Sequence, residues 1–337
     1  MWRKIRWGIL GAANIALKKV IPAMQAGDYC EVTAIASRSA SKAQRAAEDL
    51  NVPKFYGSYE ELFADREIDA VYNPLPNNLH VEWTIKAAEA GKHVLCEKPL
   101  ALTTQEAGKL IETRERTGVR IQEAFMVRSH PQWLAVRDFV RAGNIGKLQA
   151  ITGFFSYYND DASNIRNRTE TGGGALFDIG CYCINLSRFI TGEEPKRVAA
   201  LIKRDDESKI DKLTSAILDF PSCQSTFTCG TQLVPYQRMQ FFGTIGRVEV
   251  EIPFNIPVDE PTVILVDDGA GLFGETIEVM KIPAANQYTT QGDLFSQAII
   301  ENFEPAISLE DSLKNTAVIE AIFRAAESRN WETPANF

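Results

Sequence analysis

The chain is expected to be α/β, with a doubly wound parallel sheet first and an α+β half on a large, mostly antiparallel open sheet after it. Three observations predict this. Residues 1–126 alternate short β-branched runs with helical patterns, residues 196–280 supply strand signals without helices between them, and 337 residues exceed the roughly 100 to 200 of one typical domain. Alternation implies crossover units and a parallel sheet covered on both faces. Consecutive strands without crossovers pair antiparallel. The expected division is 1–126 for the first domain and 127–337 for the second.

Element by element, strands are expected over 5–10, 31–36, 54–56, 69–72, 93–96 and 119–122, with helices over 15–26, 41–50, 79–90 and 103–117. The rhythm changes after Phe125. One more helix over 131–142 and a long strand over 149–158 lead to Gly172-Gly173-Gly174, which opens an apolar helix ending near Ile190. Strands follow over 197–203, 214–220, 224–229, 238–242, 247–252, 262–266 and 275–279, and helices over 290–302 and 309–328 close the chain.

Composition excludes several classes. Net charge is −8 and the isoelectric point near 5.2, which argues against a nucleic-acid groove, since that needs a basic surface. No apolar run reaches the roughly 20 residues of a membrane span, and Met1-Trp2-Arg3-Lys4 leads into a strand rather than a signal peptide, so a cytoplasmic address is expected. Six cysteines without the density of a disulfide scaffold read as reduced thiols. Cys181-x-Cys183 is too close for usual zinc spacing and only three histidines are present, so no metal is expected.

The strand-to-helix turn Gly11-Ala12-Ala13-Asn14-Ile15-Ala16 stands where a Gly-x-Gly-x-x-Gly fingerprint belongs, with alanine in place of the later glycines. Small residues still let a backbone approach a pyrophosphate, and the helix N-terminus faces its charge; the other reading is a tight turn with no ligand. At the end of strand two, Ser37-Arg38, followed by Ser39, Ser41 and Lys42, replaces the acid that binds the ribose of NAD. Such residues suit the 2′-phosphate of NADP(H), or else a solvated helix start. Together these features read as a Rossmann fold. After strand four, Asn73, Pro74, Leu75, Asn78 and His80 occupy another carboxyl-end loop, as cofactor ligands or turn formers, His80 serving equally as a packing residue.

Strand five ends in Glu97-Lys98-Pro99. With the Gly11 turn, Asn73–His80, Glu123–Met126, the helix from Gly172 and Gln287-Tyr288, this run resembles the Gfo/Idh/MocA oxidoreductases over nearly the whole chain. The resemblance implies that Lys98 is the active-site lysine. Where many members place Asp and then His four residues later, this chain has Asp178 and Tyr182. Gly180-Cys181-Tyr182 resembles the branch with glucose-fructose oxidoreductase and NADP-dependent xylose dehydrogenase. Independently of the family, Asp178, Tyr182 and Asn185 at i, i+4 and i+7 make a polar stripe on an apolar helix. A tyrosine of reference pKa near 10 is a poor base unless a cation such as Lys98 favours its phenolate.

The expected chemistry is hydride transfer between NADP(H) and a sugar, aldose C1 to lactone or the reverse, with Tyr182 as acid/base assisted by Lys98. Asp178 orients Tyr182 or binds a substrate hydroxyl. Arg128 is expected beside the substrate. Ala124 lines the nicotinamide pocket, Tyr288 reaches the cofactor or packs its helix, and Arg166 contacts cofactor or forms a surface ion pair. Alternatives are a keto-sugar or diketone reductase, a trans-dihydrodiol dehydrogenase, an aldose-aldose oxidoreductase that retains its cofactor, and an NADP-sensing regulator without catalysis. The expected partners are a small sugar or polyol and a second copy paired through the C-terminal sheet, with no nucleic acid and no membrane.

Overall fold

A strand that returns to its own edge through a helix must lie parallel to its predecessor. β1 (Ile5–Leu10), β2 (Cys30–Ala36), β3 (Lys54–Tyr56), β4 (Ala70–Asn73), β5 (His93–Glu97) and β6 (Ile121–Ala124) do so, in the order β3-β2-β1-β4-β5-β6 with every pairing parallel. This is the doubly wound Rossmann order, with its switch between β1 and β4. The computed structural model describes residues 3–271 and 273–337. Met1 and Trp2, expected to lead into the first strand, lie outside the described residues.

The crossovers are α1 (Ile21–Gln25), entered through a π-helical turn at Ala16–Val20, α2 (Ala40–Asp49), α3 (Tyr59–Ala64), α4 (His80–Glu89) and α5 (Thr104–Thr117). Their ends follow local chemistry. Thr103 caps α5 by accepting from Glu106 N at 3.2 Å, and Glu106 Oε2 accepts from Leu102 N at 3.0 Å. Gly118, at φ +72°, stops it.

In the C-terminal half, eight strands form a second sheet. They are β7 (Leu148–Tyr158), β8 (Arg197–Arg204), β9 (Asp211–Asp219), β10 (Gln224–Gly230), β11 (Gln232–Gly243), β12 (Arg247–Val250), β13 (Thr262–Asp267) and β14 (Glu278–Ile282). Their order is β14-β13-β12-β11-β7-β10-β9-β8. All pairings are antiparallel except β7 with β10. The helices α6 (Pro131–Arg141) and α7 (Cys181–Thr191) belong to this half, the latter preceded by a π-helical turn at Leu176–Gly180. The helix-side core holds Trp133, Phe241, Phe155 and Phe254, and Trp133 Nε1 donates to Pro253 O at 2.8 Å.

Two compact units result, 1–126 with 286–313 and 127–285 with 314–337. Residues 286–313 therefore count with the first unit, although everything after 126 is expected in the second. α8 (Gln287–Ile300) is seated there by Trp7 Nε1 donating to Ser296 Oγ at 3.1 Å and by Asp293 accepting from Tyr29 N at 2.9 Å. α9 (Leu309–Ser328) closes the chain, with Leu309 and Leu313 in the first unit's core. Other departures are smaller. α3 was not expected, β6 begins two residues later than expected, β9 begins three earlier, and β11 runs well beyond 238–242. Among the described residues no helix is long and apolar enough to cross a membrane, no group of three His, Cys, Asp or Glu is placed to hold a metal, and all six cysteines are buried, none of them in a disulfide.

Candidate active site

In the first unit the candidate residues stand at the carboxyl ends of the parallel strands. Gly11 follows β1 at φ +83°, a conformation that strains other residues. A Cβ there would stand 3.2 Å from Leu75 Cδ2 and 3.6 Å from the Tyr59 hydroxyl. The first helical bond runs from Leu17 N to Ala13 O at 3.0 Å, so the N–H groups of Asn14 and Ile15 have no intrahelical carbonyl. Ala12 and Ala13 are half-buried and Asn14 is exposed. Such a turn admits a pyrophosphate without a side chain in the way.

At the end of β2, Ser37 is buried and its hydroxyl accepts from Ser39 N at 3.2 Å, while Arg38 and Lys42 are exposed. Burial raises the Tyr59 phenol and the Arg38 charge and hydrogen bond lower it, so these two side chains are neighbours. Tyr59 was not foreseen. Its signal was its position at the carboxyl end of β3, the edge that also carries Gly11 and Arg38.

The β4 loop is held by its own side chains. Asn73 is buried, donating from Nδ2 to His80 O and Thr84 Oγ1, both at 3.1 Å, and accepting from Leu75 N at 3.3 Å. His80 is 1% exposed, with one ring nitrogen 2.7 Å from Leu75 O and the other 2.7 Å from Pro99 O. Burial lowers its pKa to about 4, and the neutral ring can donate to one carbonyl at a time. Both side chains brace the loop, as the turn-forming and packing alternatives to cofactor ligation expect. Pro74 and Leu75 are buried, and Asn78 is exposed.

Lys98 and Glu97, both half-buried, follow β5. Glu97 accepts from the Tyr72 hydroxyl at 2.6 Å and from Lys98 N at 3.2 Å. Leu100 N donates to the buried Glu123 at 2.8 Å, so the loop is pinned on both sides of Lys98-Pro99. Burial first and Glu97 second raise the phenols of Tyr72 and Tyr288. Tyr288, buried on its helix, lies near enough to Glu97 to feel its charge. Ala124, expected in the pocket lining, is fully buried at the end of β6.

In the second unit, Asp178 Oδ2 accepts from the Tyr157 hydroxyl at 2.5 Å and from Arg166 Nε at 3.1 Å. Asp178 thus meets Tyr157 and Arg166, one turn before Tyr182 on the same helical stretch. Arg166 is therefore paired with a buried candidate residue rather than with a surface carboxylate. Burial first, then Asp178, raises the Tyr157 phenol well above its ordinary value. Tyr182 is 5% exposed, with its ring 6.0 Å from Phe155 and 5.5 Å from Phe254. One turn on, Asn185 Oδ1 accepts from Arg128 Nη1 at 3.2 Å, and Arg128 lies over the Phe189 ring. Tyr157 was missed, yet alternation along β7 places it on the same face as Phe155, toward the helix.

Comparison with known proteins follows the same division. Residues 5–125 match the model of the GFO/IDH/MocA oxidoreductase family with its NAD-binding Rossmann fold, and 133–249 match a GFO/IDH/MocA C-terminal domain. An uncharacterized oxidoreductase of Rhizobium meliloti is 47% identical over 98% of this chain and 99% of its own. A D-xylose 1-dehydrogenase (NADP(+)) of Haloferax volcanii is 36% identical over 96% and 97%. Among solved structures, a 3-ketoreductase from Actinomadura kijaniata in complex with NADP and TDP-benzene is 30% identical, with TM-score 0.89 over 96% of this chain and 98% of that one.

Proposed function

Because the chain belongs to the Gfo/Idh/MocA oxidoreductase family, we propose that it is an NADP(H)-dependent sugar oxidoreductase acting at C1 of an aldose, with a lactone as the oxidised partner. The observation that carries the reading is a tyrosine, Tyr182, held in an aromatic wall beside the Asp178–Arg166–Tyr157 cluster, in a chain whose dinucleotide-type sheet ends in Glu97-Lys98-Pro99.

The donor set fits NADP(H). The Gly11 turn leaves room for a pyrophosphate beside Leu75, and Ser37, Arg38 and Lys42 offer hydroxyls and positive charge where an NAD site offers a carboxylate. Ala12, Ala13, Asn14 and Ile15 would lie along the pyrophosphate, with Pro74, Leu75, Asn78, Glu97 and Tyr288 along the rest of the dinucleotide. A nicotinamide held there would supply the hydride acceptor or donor.

Tyr182 handles the proton. In oxidation the C1–H bond breaks with its electron pair leaving as hydride, the hydroxyl proton passes to the Tyr182 phenolate, and the C=O bond forms. In reduction the phenol returns that proton to the carbonyl oxygen. Lys98 favours the phenolate by its positive charge. Asp178, through Tyr157 and Arg166, presents donors and acceptors to the sugar hydroxyls, and Arg128 with Asn185 extends that edge.

The name of the Haloferax relative supports an aldose substrate. Likeness to a 3-ketoreductase supports a second reading, reduction of a keto-sugar with the same residues. The macromolecular partner in this proposal is a second copy of the chain, paired through the sheet face where Leu201 and Ile217 line an open depression of about 410 Å³. Purified protein is assayed with NADP⁺ on aldoses and with NADPH on nucleotide-linked keto-sugars, following nicotinamide absorbance. Lys98→Met is expected to abolish turnover while NADPH binding stays measurable; near-normal turnover refutes the assignment.

A further inference from the structure

The glycine run that opens the tyrosine helix has a partner elsewhere in the second unit. Gly174 O accepts the first helical bond, from Asp178 N at 3.0 Å, which puts Gly174 at the capping position. Glycine has no side chain to bond the open N–H groups of the first turn. Asp211, the first residue of β9, supplies it. Its Oδ2 accepts from Leu176 N at 2.7 Å and from the Thr214 hydroxyl at 3.0 Å.

Its Oδ1 fills the space a side chain at Gly174 would need: a Cβ there would lie 1.9 Å away, on a backbone at φ +116°. Asp211 is 2% exposed. Gly174 N donates to Arg166 O at 2.9 Å, and Gly173 N to Arg168 O at 3.0 Å. Carboxylate, glycine run and Arg166 segment are therefore one hydrogen-bonded assembly, which ends on Asp178.

We propose that Asp211 is a positioning residue for the reaction, a carboxylate delivered from the sheet that caps the helix bearing Asp178 and Tyr182 and sets where those side chains stand. This rests on the tyrosine reading above. Charge matters to the cap, because an ionised acceptor bonds an N–H roughly twice as strongly as a neutral one and the positive helix end favours an anion. Burial opposes it and pushes the Asp211 carboxyl up to about 6, against Leu176 N and the Thr214 hydroxyl, which lower it. The ionisable groups acting on it from the neighbouring strands are Arg204 on β8 and the Cys229 thiol on β10.

The test is kcat against pH for wild type, Asp211→Asn, Asp211→Ala, Gly174→Ala and the double variant Gly174→Ala/Asp211→Ala, with NADPH affinity and urea unfolding measured on each. Asparagine keeps the shape and an acceptor but not the charge. Wild-type kcat is expected to fall about 10-fold through a step near pH 6, as the strong acceptor becomes a weak one. Asp211→Asn runs at the lower level throughout, without that step. Asp211→Ala and Gly174→Ala each lose on the order of 10- to 100-fold in kcat, with NADPH affinity unchanged. The double variant loses no more than the worse single one, because both remove one contact.

A step that survives in Asp211→Asn, multiplicative losses in the double variant, or an Asp211→Asn enzyme identical to wild type overturns the proposal. If Asp211→Ala fails to fold, the Asp211→Asn profile decides. Tyr182→Phe is assayed alongside: full turnover there refutes the tyrosine reading, and the helix cap is still judged from the profiles of the Asp211 variants.

Discussion

Phe254 is the wall against which Tyr182 stands, and replacing it by leucine tests whether that wall matters to turnover. Phe254 is 1% exposed, stacked on Phe155 with centroids 4.4 Å apart and 20° between planes, and 5.5 Å from the Tyr182 ring. Leucine keeps most of the apolar burial and removes both ring contacts. At about 0.5–1.5 kcal/mol for each aromatic pair, the loss in stability is about 1–3 kcal/mol, measured as the shift of the urea midpoint. The pair with Tyr182 accounts for half of it. If that half holds the reactive orientation, kcat falls about 2- to 10-fold, with the KM for NADPH unchanged. A lowered urea midpoint with wild-type kcat would refute the reasoning, since Tyr182 would then not need its wall.

Arg38→Ala is expected to weaken NADPH about 10- to 100-fold and NADH little, by fluorescence titration, because one or two charge-assisted bonds to a phosphate are lost; equal weakening of both contradicts the clamp. Stability at acid pH should depend on Asp65. Burial, its largest single influence, raises its pKa, but Lys54, the Glu67 amide and Tyr56 outweigh that and hold it at about 2. Its folded pKa lies below the unfolded value near 3.9, so its stabilisation is full above about pH 4 and is lost as pH falls through about 2. Asp65→Asn should remove that part of the acid slope in urea titrations between pH 2 and 4; an unchanged slope excludes the pairing. Leu201 is 80% exposed on the open sheet face, and Leu201→Glu should shift the light-scattering mass of a dimer toward the monomer. A wild-type chain already monomeric at micromolar concentration overturns that interface.

Local periodicity made the parallel half legible, because β-branched runs alternating with helical patterns have one architecture. α3 at Tyr59–Ala64 is too short to show a period, and its local signal is the capping pair of Ser58 and Glu61. The return of 286–313 to the first unit depends on pairs such as Trp7 with Ser296, separated by 289 positions, which no local pattern encodes. Lys98 was readable as a candidate because Glu97-Lys98-Pro99 resembles the family's lysine motif, and Tyr182 because it stands in a polar stripe where many members have histidine. Their supports were not. Asp211 meets Gly174 only in the folded sheet, and Asn73 and His80 looked like ligands because braced loops and binding loops use the same polar residues. The inward turn of His80 sets its two ring nitrogens against the carbonyls of Leu75 and Pro99, neighbours it meets only in the folded loop.

Deuterium transfer tests the central claim most directly. Aldoses deuterated at C1 are incubated with NADP⁺ and the wild-type, Lys98→Met and Tyr182→Phe proteins, and the nicotinamide is analysed by mass spectrometry. The account predicts one deuterium carried to the nicotinamide by the wild type for at least one aldose, and no transfer above background by either variant. Transfer at the wild-type rate by Tyr182→Phe, or a wild-type protein that binds NADP⁺ yet moves no deuterium from any aldose and oxidises no NADPH with a keto-sugar, contradicts it.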